Sequence, residues 1–176
     1  MGRLTHRASA GCTYFVTTKT WENRSLFQVT QNADIVLEIL FGHKRTGAYL
    51  LHEFVVMPDH LHLLLTPGQT TSLEKAMQLI KGGSSYEIHK QREQRMEIWQ
   101  PGFQDWTIRD EQDFLSKAQY IRMNPVVASF VVKPDEWPYG SAQAGIALDE
   151  MPKTISSGAK ARERSRLNVG AKAPTP

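Results

Sequence analysis

Ala48-Tyr49-Leu50-Leu51-His52-Glu53-Phe54-Val55-Val56-Met57-Pro58-Asp59-His60-Leu61-His62-Leu63-Leu64-Leu65-Thr66 reads as two β-strands separated by one short break. The first, Ala48 to Met57, is too continuously apolar to leave one face in water. Pro58-Asp59 interrupts it, because proline offers no N–H to a strand ladder. In the second strand, His60 to Thr66, residues two apart share a face. His60 and His62 therefore present two imidazoles to one side, while Leu61 and Leu63 turn the other way into a core. Polar rings on so apolar a strand lose hydration and call for a partner. A divalent cation is one such partner, since neutral imidazole is its commonest protein ligand. Half-exposed strand histidines are the plainer alternative. A histidine-triad hydrolase is excluded, because its third histidine would stand where Leu64 does. A phosphoesterase with paired His-x-Thr/Ser motifs is excluded too, because no second copy exists.

Outward from this pair, Thr13 to Thr18 is β-branched and aromatic and predicts an earlier strand. Gln31 to His43 carries Ile35, Val36, Ile39 and Leu40 at helical spacing, and Gly47 ends that region. Beyond the turn at Pro67-Gly68-Gln69, Ser72 to about Arg92 predicts a second helix, with Leu73, Met77 and Ile80 on one face. Gly82-Gly83 in its middle costs roughly 1 kcal/mol per glycine relative to alanine, so a kink or break is expected there. Ile98 to Phe103 reads as aromatic loop or short strand, and Trp106 to Arg109 as a further strand. Asp110 is placed to cap a third helix ending at Asn124, where Pro125 discourages continuation. The order β-α-β-β-α-β-α predicts an α+β domain of the split βαβ kind, an antiparallel-dominated sheet with helices packed on it.

The chain has 176 residues, 40% of them hydrophobic and 22% charged, which suits one soluble domain over residues 1–151. A basic, unstructured tail is expected over 152–176. There Lys153, Lys160, Arg162, Arg164, Arg166 and Lys172 face Glu163 alone, a net of +5, leaving the body with 15 basic and 17 acidic residues. The overall charge of +3 is thus a property of the tail, and any nucleic-acid role of the body must rest on local features. The one cysteine, Cys12, rules out an internal disulfide framework. No apolar run reaches membrane-spanning length, and the first residues lack a signal peptide's apolar stretch. A cytoplasmic location, with no membrane partner, is the expectation.

The third helix holds the second informative pattern. Phe114, Ala118, Ile121 and Leu115 form its packing stripe. Tyr120 and Asn124 stand four residues apart, on one face and about 6 Å from each other. If that face looks at His60 and His62, a hydroxyl and a carboxamide join the imidazoles. Otherwise Tyr120 is a half-buried ring and Asn124 merely ends the helix.

Together, MPDHLHLLL (57–65), WQPGFQDWTIRDEQDF (99–114), QYIRMNP (119–125) and PDEWPYGSA (134–142) resemble the single-tyrosine HUH transposases (IS200-like). The resemblance is nearest to the branch called REP-associated tyrosine transposases, and covers about residues 11–142. It implies a ferredoxin-like fold, with Tyr120 as nucleophile and a divalent cation, Mg or Mn, held by His60, His62 and Asn124. It further implies a single-stranded DNA endonuclease and strand transferase. Such an enzyme acts beside a DNA hairpin (a REP-like palindrome) and passes through a 5′-phosphotyrosine. A tyrosine with an ordinary pKa near 10 is only about one-thousandth phenolate at pH 7, so the phosphodiester needs activation. A catalytically silent, hairpin-binding regulator is the alternative. Either form is expected as a monomer or homodimer. Two features depart from the family: the paired glycines, which put the second helix's packing in doubt, and the basic tail.

Among the remaining tyrosines, Tyr14 and Tyr49 belong to strand patterns and Tyr139 to a packing corner, so Tyr86 is Tyr120's one competitor. Lys81 and Arg109 are candidate phosphate contacts. Trp99, Phe103 and Trp106 are candidate stacking platforms for unpaired bases. Asp59 and Glu53 are candidates for orienting a ligand histidine.

Overall fold

The computed structural model describes residues 11–91 and 96–155. Strands β1 (Tyr14–Lys19), β2 (Tyr49–Met57), β3 (His60–Pro67) and β4 (Gln104–Thr107) alternate with helices α1 (Thr30–Arg45), α2 (Leu73–Gln91) and α3 (Glu111–Val127) in the predicted order. The sheet runs β2-β3-β1-β4, with every neighbouring pair antiparallel. β3 thus lies between the parallel pair β1 and β2 that α1 connects, which is the split βαβ, ferredoxin-like arrangement.

Alternation along the strands divides the core into two layers. Tyr14 and Val16 of β1 and Leu61, Leu63 and Leu65 of β3 face α1 and α2, where they meet Val36, Leu40, Met77 and Ile80. The opposite face carries Val55, Met57 and Leu64 against Phe114, Ala118 and Ile121 of α3. The register shifts between Leu51 and Glu53, a bulge that opposes an extra residue, His52, to β3. His52 and Glu53 consequently both reach elements of the α3 side, His52 touching Phe114 and Glu53 pairing with Arg122.

Four expectations are corrected. The second helix is unbroken through Gly82-Gly83. A Cβ at Gly83 would lie 3.1 Å from the Ile39 side chain, so this glycine lets α1 and α2 approach. The third helix continues through Pro125 to Val127, with Pro125 buried. A proline near a helix end sacrifices a single hydrogen bond, which packing offsets here. Leu115 is 57% exposed and leaves the packing stripe to Phe114, Ala118 and Ile121.

The fourth correction concerns where the folded body ends: the chain after Trp137 supplies partners to the outer edge of β2 and packs on past residue 151. Val56 N donates to Tyr139 O (2.8 Å), Ser141 N to Phe54 O (2.9 Å) and Asp149 N to Leu51 O (2.8 Å). The Asp149 carboxylate returns an acceptor to Leu51 N at 2.7 Å. This strap removes an exposed sheet edge. Met151 and Ile155 then pack against the α3-side core, so the folded body reaches into the segment expected as tail. The rest of that segment, 156–176, lies outside the described residues. Among the described residues, no helix is long and apolar enough to cross a membrane.

Candidate active site between the histidine strand and the third helix

The two-residue turn Pro58-Asp59 pairs Met57 with His60 and so sets which residues of β3 face α3. His60 and His62 do, and their rings lie 4.7 Å apart. Each ring is held through Nδ1. The Asp59 carboxylate lies 2.6 Å from His60 Nδ1, and a carboxylate there accepts the Nδ1 proton. The Thr17 hydroxyl, from the paired position on β1, lies 2.8 Å from His62 Nδ1. Neither Nε2 has a protein hydrogen-bond partner among the described residues. Burial, reinforced by the charge of His60, pushes the His62 pKa down to about 3. His62 is therefore neutral at ordinary pH, the state in which imidazole binds a metal.

α3 brings Tyr120 over this pair. Its ring centroid is 5.3 Å from that of His62, at 72°. Phe15 of β1 completes the cluster, stacked on His62 at 5.4 Å and edge-on to Tyr120 at 5.7 Å. Half of Tyr120 (51%) remains open to solvent. Asn124 follows one turn later on α3, half-buried, its backbone carbonyl taken by Ala128 N. No three His, Cys, Asp or Glu side chains cluster for a metal among the described residues. The chemistry of the donors present nonetheless fits a divalent cation: with Nδ1 carrying the proton, the two imidazoles offer Nε2 lone pairs, to be supplemented by a neutral oxygen.

Of the proposed orienting carboxylates, Asp59 serves His60, whereas Glu53 does not serve a histidine. Glu53 is 3% exposed, and its carboxylate binds the Arg122 guanidinium and the Ser141 hydroxyl. A carboxylate this buried needs such partners. Arg122 sits two residues beyond Tyr120, so the pair ties the tyrosine helix to β2 and to the strap. Reading the sequence missed it, although a lone glutamate inside an apolar strand was a signal.

The other candidates disperse. Tyr86 is exposed on α2, the helix that packs on the opposite face of the sheet from His60 and His62. Tyr14 and Tyr49 are core residues, Tyr49 donating its hydroxyl to Leu40 O at 2.7 Å. Trp99 is also core, against the stacking role expected for it: it lies 4.9 Å from Phe27, and its indole N–H donates to Ser84 Oγ. Phe103 packs against the same layer. Lys81 donates to the carbonyls of Gln100 and Gly102, and burial lowers its pKa, so its charge anchors that loop. Arg109 is exposed, paired with Asp113 at 3.2 Å and placed over Trp106.

Residues 9–124 match the family described as Transposase IS200 like. A REP-associated tyrosine transposase of Escherichia coli (strain K12) is 26% identical over 143 residues, covering 81% of this chain and 83% of the relative. A putative REP-associated tyrosine transposase of Haemophilus influenzae (strain ATCC 51907 / DSM 11121 / KW20 / Rd) is 26% identical over 133 residues, covering 68% and 76%. In three dimensions the fold resembles a REP-associated tyrosine transposase solved bound to a REP hairpin, with a TM-score of 0.70. That likeness extends over 89% of this chain and 97% of the other, at 22% identity. The family match spans well over half of the chain, and the chain belongs to the IS200-like family of tyrosine transposases.

Proposed function

We propose that this protein is a metal-dependent single-stranded DNA endonuclease and strand transferase that acts beside DNA hairpins, with Tyr120 as its nucleophile. The approach of the Tyr120 ring to His62, on the face that both histidines share, carries this reading. A relative in fold was solved with a REP hairpin, which supports a hairpin as the partner.

The Tyr120 oxygen attacks the phosphorus of one phosphodiester in line with the departing 3′ oxygen. The O–P bond to tyrosine forms as the bond to that oxygen breaks. The phenolic proton passes to water at the half-open Tyr120, and the 3′ oxygen takes a proton from water to become a free hydroxyl. The product is a 5′-phosphotyrosine, and attack by a 3′-hydroxyl reverses the step and rejoins the strand, so no ATP is consumed. Asp59 and Thr17 hold the two imidazoles still, and Phe15 fixes the Tyr120 ring against His62. Magnesium or manganese held by His60, His62 and Asn124 would polarise the phosphate and neutralise its developing charge.

The test uses hairpin-bearing single-stranded DNA with Mn²⁺ and looks for a covalent protein–DNA adduct on a denaturing gel. Wild-type protein should form it, excess chelator should abolish it, and Tyr120→Phe should bind the DNA without forming it. If the phenylalanine variant still cleaves at the normal rate, water is the nucleophile and this reading fails.

A further inference from the structure

Beside the proposed nucleophile lies a row of side chains of which the proposed chemistry uses Phe15 alone. Phe15 and Trp106 are directly opposed across β1 and β4. Lys117, one turn before Tyr120 on α3, extends its ammonium over both rings, 5.1 Å from the Phe15 centroid and 5.5 Å from that of Trp106. Trp106 is 49% exposed, an unusual exposure for so large an apolar side chain. It is also held in place: its indole N–H donates to Asp113 at 3.3 Å, and the same carboxylate takes the Arg109 guanidinium. Asp113 offsets the charge of Arg109, whereas Lys117 shows no carboxylate partner among the described residues. A flat, pinned, half-open ring beside an uncommitted cation suits unpaired nucleic acid, which presents a base face and a phosphate at each step.

We propose that Trp106 and Lys117 form the platform for the unpaired DNA next to the bond that Tyr120 attacks. One base stacks on the exposed part of the indole ring, and Lys117 holds the adjoining phosphate. Phe15 links the platform to the chemistry, since it contacts Lys117, His62 and Tyr120. The occupant, single-stranded DNA, rests on the function proposed above; the platform adds where that strand lies and what grips it.

Binding of the full chain is measured for two probes, an oligothymidylate of about a dozen nucleotides and an abasic oligonucleotide of equal length. Wild-type protein should prefer the oligothymidylate. Trp106→Ala should lose about tenfold on that probe and nothing on the abasic one, and Trp106→Phe should recover most of the loss. Lys117→Gln should weaken both probes alike and reduce the dependence of log affinity on log salt by about one unit. Trp106→Ala binding oligothymidylate like wild type, or losing equally on both probes, overturns the stacking role. An unchanged salt slope in Lys117→Gln overturns the phosphate role. The Tyr120 adduct is scored on the same preparations. An adduct without these binding changes removes the platform and keeps the nuclease. Binding changes without an adduct do the reverse.

Discussion

At the scale of single residues, His62 shows what the site costs the fold. Its folded pKa of about 3 lies below the ordinary 6.5. Between those values the unfolded chain binds a proton that the folded chain does not. Stability should therefore rise with pH from about 3 to 6.5 and stay flat above, the whole effect amounting to at most about 4–5 kcal/mol. Denaturant midpoints at pH 7.5 and pH 5, in chelator, should separate more for wild type than for His62→Gln. Equal separation would remove His62 as the source. The residue pattern itself was legible: alternation on β3 sent Leu61 and Leu63 to the core and His60 and His62 to the other face. What could not be read locally was Glu53. Its partners lie 69 and 88 positions away in sequence, and no spacing rule reaches that far.

Among the elements, α2 and α3 each defied a local rule for a tertiary reason. Gly82 has open space around its missing Cβ, whereas Gly83 meets Ile39. Gly82→Ala should therefore stabilise the protein by about 0.5–1 kcal/mol, while Gly83→Leu should destabilise it by at least 1 kcal/mol through overpacking. Thermal melting would decide, and equal effects at the two positions would refute the contact. Helix propensity alone cannot distinguish these neighbours, because the difference lies in α1. Likewise Pro125 looked like a helix end, but burial carries α3 one turn further. The orientation of α3 should depend on the Arg122–Glu53 pair. Arg122→Ala leaves a buried carboxylate half-satisfied and should cost about 2 kcal/mol and lower the rate of adduct formation. Glu53→Gln on top of it should cost little more, a non-additivity that a double-mutant cycle measures.

For the molecule as a whole, the strap from Tyr139 to Asp149 closes the outer edge of β2 and contributes Ser141 to the buried carboxylate. A chain ended after Glu136 should lose several kcal/mol, since the edge amides of β2 and one acceptor of Glu53 lose their partners. It should also lose adduct formation, although both histidines, Tyr120 and Asn124 remain. A truncated chain that melted and reacted like the full one would make the strap ornamental. During translation, Tyr120 leaves the ribosome well before Ser141 and Asp149. A half-made chain thus carries Tyr120 and both histidines on a sheet whose outer edge is still open. Nascent chains stalled before residue 149 has emerged should therefore yield no adduct, and chains stalled after it should regain the reaction.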